Sequence, residues 1–594
     1  MTMPGRSADR KPPGGRIPPG LRDRVAAWID DDPDAGTREE LRALLRAGNA
    51  AELSARFAGP LEFGTAGVRG PLGAGPARMN RATVRRIAAG LAGYLRERVP
   101  GAADRPVAIG FDARRYSDVF AAEAAGVLSG AGLQPARLPG PVPTPVLAFA
   151  VRHLGAVAGV MVTASHNPPE DNGCKVYGAD GAQIVPPADA QIAAAAGQAG
   201  PLRSLPLGAP GDVLGPDVMH AYVDAVVRAS LHTTHRDIRA AYTPLHGVGL
   251  PAFRDAFRLA GFPEPAVVAA QAEPDGSFPT VARPNPAEPG ALDLLIAEGT
   301  RADAELLIAN DPDADRLAVV IPDRGRGWRV LNGDEIGALL AWHLLGHTPA
   351  SPRRLLVTTV VSASLLGRMA AAAEIRYAET LTGFKWIMRA AEQQPGSEFL
   401  FGYEEALGYA VSDVVRDKDG ISAALALAEA AAAAKDAGRS LADVLDDLAR
   451  RFGLHATAEW SVETASASAA ADRAAVLDAL RAAPPATLLG RPVTAVDDMD
   501  AGVRSHPGGR TEPLDLPRST VVVWRCADGT RVAVRPSGTE PKLKIYSQVV
   551  LPADGRSDLA PLRADAAAQL ATLHEEVDDM VERAHAGHPG EGSR

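Results

Sequence analysis

Four short polar segments of the chain carry residue types that could do chemistry. In TASHNPPEDNGCK (163–175), Ser165 stands beside His166 with two prolines close behind. A hydroxyl in a stiff loop suits a covalent nucleophile or a carrier of a phosphoryl group. The same letters also make an ordinary turn. In NDPDADR (310–316), Asp311, Asp313 and Asp315 alternate, so on a locally extended chain their carboxylates would converge on one side. Three carboxylates that close repel one another unless a cation joins them, and an oxygen-only set suits Mg2+. Arg316, next in line, can grip an adjacent phosphate. The segment lacks the internal glycine and terminal glutamate of an EF-hand loop.

GYEEALGY (402–409) sets Glu404 beside Glu405, a pair that can read the hydroxyls of a polyol or simply face a helix N-terminus. Upstream, TGFKWI (382–387) puts Lys385 in a turn after a glycine. RPSGTEPKLKIY (535–546) brings Arg535, Ser537, Gly538 and Thr539 together as a nest for a phosphate dianion, with Lys542 nearby. Charge-assisted bonds contribute about 1.5–3 kcal/mol each, so several of them would hold a terminal phosphate firmly. No GxxxxGK[ST] run occurs, which argues against an ATP site. The chain has only seven lysines, and five of them (Lys175, Lys385, Lys418, Lys542 and Lys544) lie in or near these segments. For Lys418 and Lys544, chance accounts for the position as well as function does.

The polar segments follow apolar runs, as ligand-binding loops do at strand ends of open α/β sheets. PVAIGFD (106–112) reads as a strand, followed by a helix that Ser117 can cap. Thr144-Pro145 opens another helix, and GAVAGVMVT (155–163) is a buried strand. The rhythm repeats through DIRAAYT, AELLIAN and RLAVVI, then through RRLLVTTVV, EIRYAET and EFLFGY. Such spacing predicts three consecutive α/β domains with mixed, largely parallel sheets. The last stretch differs, ending in a long amphipathic helix, and reads as an α+β domain. Boundaries fall at 50–215, 216–330, 331–452 and 453–585, after a disordered tail (1–20) and a helical extension (21–49); 586–594 forms a second tail. Thr37 with Glu40 reads as a capping box inside that extension.

Bulk properties narrow the partners. At roughly 150 residues per domain, 594 residues make about four domains. A net charge of −10 argues against a general nucleic-acid binder, whose affinity comes from neutralising phosphates. No apolar run is long enough to span a membrane, and the N-terminus has no apolar signal region. Two distant cysteines, Cys174 and Cys526, fit a reducing cytoplasm better than a disulfide framework or a zinc site.

Together, from about Gly64 to Tyr546, the segments resemble the α-D-phosphohexomutase superfamily, which includes phosphoglucomutases and phosphomannomutases. The resemblance implies four domains around a central cleft and a phosphoryl group carried on Ser165. It implies Mg2+ on Asp311, Asp313 and Asp315 with an oxygen from the phosphoserine, and a sugar contact at Glu404. It also implies phosphate capture by Arg535, Ser537, Gly538, Thr539 and Lys542. GTAGVRG (64–70) resembles the family's N-terminal segment and puts Arg69 at the floor of the site, while GFDARRYS aligns Arg114 and Ser117 with substrate-binding positions. Lys175 and Arg316 join the implied substrate contacts, and His166 and Lys385 become the proton-transfer candidates. PLHGVG, with His246, is family-like without an assigned role. The wording of LTGFKWI and FGYEEALGY is similar to the subgroup of phosphoglucomutase-2 and phosphopentomutase. Where the family's sugar loop has serine, this chain has Ala406, so sugar preference does not transfer through that loop.

The expected activity is interconversion of hexose 1-phosphate and hexose 6-phosphate, glucose first, with mannose and pentose phosphates as alternatives. A sugar 1,6-bisphosphate is then both intermediate and activator. Expected partners are small phosphorylated sugars, with no nucleic acid and no membrane, and the expected state is a monomer or homodimer. Two readings from other classes stay open: a phosphatase using an aspartate nucleophile, which leaves Ser165 idle, and a non-catalytic sugar-phosphate-binding protein.

Overall fold

Runs of Val, Ile and Ala that end in polar loops become the inner strands of three sheets. The computed structural model describes residues 17–64, 67–323, 327–463, 469–537, 542–553, 555 and 558–586. In the first sheet Pro106–Phe111 lies between Gln134–Pro141 and Ala158–Val162, all parallel. Asp171–Gly178 and then Val68–Pro71 extend it antiparallel on one side, and Asp212–Val213 joins the other edge. The second sheet sets Ala240–Thr243 parallel to Ala266–Val267 and Leu306–Ala309, with Ala318–Asp323 and Gly327–Val330 antiparallel beyond. In the third, Arg354–Thr359 runs parallel to Arg376–Thr380 and Glu398–Glu404, and Gly408–Ala410 closes the edge. Each sheet thus joins a parallel block to antiparallel strands added on one side, the mixed α/β class that the spacing predicts.

The last domain is an antiparallel eight-stranded sheet with the helices Ala469–Ala482 and Ala560–Ala586. Alternation along Val521–Trp524 assigns its two faces. Val522 and Trp524 pack with Leu477, Leu480 and Leu573 beneath the helices. Val521 and Val523 point the other way, onto Val360 and Val361 of the third domain. A single apolar cluster runs through the first three domains, from Ala108 through Tyr242 and Phe253 to Leu339, Tyr403 and Leu448, whereas the last domain has its own.

At the N-terminus the first helix, Pro19–Asp31, begins inside the expected tail, and Ile17 is already buried. The next helix, Ala35–Ala47, is capped by Asp34, which accepts from the Gly36 and Thr37 N–H groups. Thr37 does not cap it; its hydroxyl donates to Asp32 at 2.7 Å. The helix Ala50–Arg56 shares the extension's small core through Leu53, so the extension runs past residue 49. Residues 1–16 and 587–594 of the expected tails lie outside the described residues.

Candidate active site

Ser165 sits directly after Ala158–Val162 with φ 52°, in left-handed backbone that costs a non-glycine residue roughly 1–2 kcal/mol. Its N–H donates to Thr163 Oγ1 at 2.8 Å, and Thr163 Oγ1 donates to Asp112 at 2.7 Å. Arg114 holds the loop from within. Its guanidinium donates to the carbonyls of Ser165 (2.6 Å), Asn167 (2.5 Å), Pro168 (2.8 Å) and Asp171 (3.1 Å). Phe278 of the second domain lies 4.9 Å beneath that guanidinium. Arg114 is buried, and its guanidinium holds the serine loop through these four carbonyls. Ser117 is fully buried, donates to Asp112 at 2.7 Å and accepts from Asn172 at 3.0 Å; it is the first residue of its helix and makes no side-chain cap.

The aspartates converge, though not by extended alternation. The loop is a turn: Ala314 N–H donates to Asp311 O at 2.9 Å, with Ala314 at φ 54°. PLHGVG supports it from behind. Val248 N–H donates to Pro312 O at 2.9 Å, and a Cβ on Gly247 would stand 2.4 Å from Pro312. That segment's role is therefore to back the aspartate loop. His246 itself turns away to Thr280 Oγ1 at 2.8 Å.

One oxygen from each of Asp311, Asp313 and Asp315 lies within 4.8 Å of the others, and all three residues are fully buried. Ser165 Oγ donates to Asp311 Oδ2 at 2.9 Å, joining the first domain's loop to the second's. Lys175 Nζ donates to Asp313 Oδ2 at 2.8 Å and to Asp315 Oδ2 at 2.7 Å, and Thr144 Oγ1 donates to Asp313 Oδ2 at 2.6 Å. Lys175 is fully buried here and places its positive charge between the two aspartates. Asp313 Oδ1 and Asp315 Oδ1 have no hydrogen-bond partner, and buried carboxylate oxygens of that kind suit a hard cation. Burial and the two neighbouring carboxylates push Asp311 well above the usual carboxylate range. Burial acts on Asp315 in the same direction, but Lys175, Lys418 and Arg316 outweigh it and hold Asp315 far below.

Around this cluster stand His166, Arg69 and Arg316. Burial and the two arginines hold His166 well below its ordinary value, leaving its imidazole neutral. Arg69 donates to Asn167 Oδ1 at 3.1 Å, and Arg316 Nε stands 3.9 Å from Asp311 and 4.0 Å from Asp315. Lys385 lines a small cleft with Phe63, Gly64, Gly67 and Asp189, and burial lowers its pKa. The lysine that links the aspartates to the sugar loop is Lys418. Its Nζ is 3.2 Å from Asp315 and 4.0 Å from Glu404, and its stem packs against Gly408, where a Cβ would come within 2.2 Å. Its closeness to the polar segments was the one available signal, and sequence alone cannot separate that from chance.

Glu404 ends its strand facing Lys418, whereas Glu405 turns inward and accepts from Ser362 Oγ at 2.9 Å and Thr359 Oγ1 at 3.2 Å. Burial, with Glu459, Glu404 and Asp334 nearby, pushes Glu405 up to about 7. Arg535 rests over Tyr546 and donates to its hydroxyl at 3.0 Å. Ser537 N–H donates to Lys542 O at 2.9 Å, closing the neck of the last loop. Gly538 and Thr539 lie outside the described residues.

Models of the phosphoglucomutase/phosphomannomutase α/β/α domains I, II and III match residues 60–201, 220–325 and 332–452. A protein of Haemophilus influenzae named probable phosphomannomutase is 42% identical over 79% of this chain and 92% of its own. The phosphopentomutase of Mus musculus is 33% identical over 92% of both chains. A crystal structure of a phosphoglucomutase/phosphomannomutase family protein from Burkholderia thailandensis superposes with a TM-score of 0.65, covering 89% of this chain and 98% of that one at 21% identity, a likeness of fold.

Proposed function

The chain belongs to the phosphoglucomutase/phosphomannomutase family of isomerases and is a phosphosugar mutase; from that premise we propose that it interconverts hexose 1-phosphate and hexose 6-phosphate, glucose first, through a phosphoserine at Ser165. One observation carries the proposal: Ser165 Oγ lies 2.9 Å from Asp311 Oδ2, within a cluster assembled from separate domains. A phosphatase working through an aspartate nucleophile gives that serine no task.

Asp311, Asp313, Asp315 and an oxygen on Ser165 would hold Mg2+, which offsets charge on the oxygens of the transferring phosphoryl group. In our reading the free hydroxyl of the bound sugar phosphate attacks phosphorus on Ser165. The bond from phosphorus to Ser165 Oγ breaks, Oγ keeps the electron pair, and the hydroxyl's proton passes to neutral His166. The sugar is now a bisphosphate. It turns end for end, Ser165 Oγ attacks its other phosphate, and the released sugar oxygen takes the proton back from His166; this cycle predicts activation by glucose 1,6-bisphosphate. Arg316 and Lys418 supply positive charge beside the reacting group, Glu404 reads a sugar hydroxyl, and Arg535 with the 537–542 loop grips the distal phosphate. We assign Lys385 to the cleft beside Gly64 rather than to proton transfer. No helix among the described residues is long and apolar enough to cross a membrane. The proposal includes a cytoplasmic setting and a monomer or homodimer.

Pentose phosphate is the second reading, favoured by the mouse phosphopentomutase, which matches 92% of this chain against 79% for the Haemophilus protein. The test is turnover of glucose, mannose, ribose and deoxyribose 1-phosphates with Mg2+ and bisphosphate, beside intact-mass analysis of the protein. We expect a phosphoryl adduct on Ser165 and none in Ser165→Ala, which folds but transfers nothing. Wild-type rates in Ser165→Ala would refute the carrier, and a kcat/KM ranking led by pentose would replace the sugar.

A further inference from the structure

The aspartate loop belongs to the second domain, yet the first domain decides which way one of its carboxylates faces. Thr144 opens the helix Thr144–His153 of the first domain and meets Asp313 twice. Its N–H donates to the Asp313 carbonyl at 2.9 Å, and its hydroxyl donates to Asp313 Oδ2 at 2.6 Å. Lys175 is the second donor to that same oxygen, at 2.8 Å. Oδ2 is therefore fully engaged, while Oδ1 is buried without any partner. Thr144 is fully buried and touches neither Ser165 nor the sugar loop through its hydroxyl.

We infer that Thr144 is a positioning residue for the metal: by fixing Asp313 Oδ2 it turns Oδ1 toward the cation, so that divalent-metal affinity depends on docking of the first domain against the second. The inference rests on the metal reading above and deepens it. Partners that orient a metal's ligands typically change affinity 10- to 100-fold when removed. The backbone bond from Thr144 to Asp313 survives any side-chain change, so loss of the hydroxyl isolates orientation from loop placement. Lys175 also remains, keeping the charge of the cluster unchanged.

The experiment titrates dephosphorylated full-length protein with Mg2+ by calorimetry and with Mn2+ by electron paramagnetic resonance. It compares wild type with Thr144→Val, which keeps the shape, and Thr144→Ser, which keeps the hydroxyl. We expect one ion per wild-type chain, 10- to 100-fold weaker binding in Thr144→Val, and recovery to within about threefold in Thr144→Ser. The Mg2+ concentration for half-maximal turnover should shift in parallel while KM for the sugar phosphate stays in place. Thr144→Ala is a second hydroxyl-free form, and whichever of the two retains the wild-type circular dichroism spectrum decides. Wild-type affinity in a folded hydroxyl-free variant overturns this inference alone. No uptake by the wild type, either dephosphorylated or carrying phosphate on Ser165, overturns the metal reading and this inference with it.

Discussion

Replacing Lys418 by methionine tests whether the third domain supplies charge to the reaction. The ammonium stands 3.2 Å from Asp315, 4.0 Å from Glu404 and 4.0 Å from Asp417, and it is almost wholly buried. Methionine fills the channel along Gly408 that the lysine stem occupies, so the change removes charge with little loss of packing. Breaking a buried pair costs about 3–5 kcal/mol, and Asp315 keeps Lys175, which puts the stability loss near the lower end of that range. If the ammonium makes one charge-assisted bond to the transferring phosphate, about 1.5–3 kcal/mol of barrier depends on it, a roughly tenfold to hundredfold fall in kcat. A coupled assay should show that fall with KM for the sugar phosphate unchanged, since the bond strengthens as charge moves between oxygens. The reasoning fails if kcat in the folded variant stays within about threefold of wild type, because Lys418 would then serve only to neutralise Asp315.

Two further expectations reach outward from the centre. Phe278→Ala removes the ring under Arg114 and should cost about 3–5 kcal/mol of stability; it should also slow phosphorylation of Ser165 by bisphosphate, measured by intact mass over time, more than it weakens sugar-phosphate binding. Glu429, buried in the helix Gly420–Asp436, carries a pH dependence. Burial alone would raise its pKa, but His343 and the N–H groups of Thr233 and His232 hold it down at about 2. A carboxylate depressed on folding stabilises above the ordinary carboxylate range and loses that contribution as pH falls toward its folded value. The difference in melting temperature between wild type and Glu429→Gln should therefore be largest near neutrality and close as pH drops toward 2, and an equal gap at all pH values would contradict this.

Much of the architecture was legible because period and strand length are local properties. Apolar runs such as AGVMV and LLIA became buried strands, and the polar segments sit at their ends. What tertiary burial decides was not legible. Arg114 and Ser117 stand where the resemblance put them, but their side chains face inward to the serine loop, since neighbours distant in sequence surround them. Asp34 outcompeted Thr37 as a cap because Asp32 claims the threonine hydroxyl. The aspartates meet through a left-handed turn at Ala314 that no alternation of letters encodes. The roles of Lys418 and Thr144 are not legible in the sequence because their partners lie in other domains.

One apolar interior is shared by the first three domains, which ties together the elements that carry Ser165, the aspartates and Glu404. The last domain touches that body through a small apolar patch and polar bonds such as Thr457 to Asp334 and Arg525 to Glu379. A hinge motion would bend that seam first, and Arg535 would travel with the last domain. On the proposed mechanism the reactive atoms stay in register while the arm meant for the far end of the ligand could open, which would give a doubly phosphorylated intermediate room to somersault without escaping.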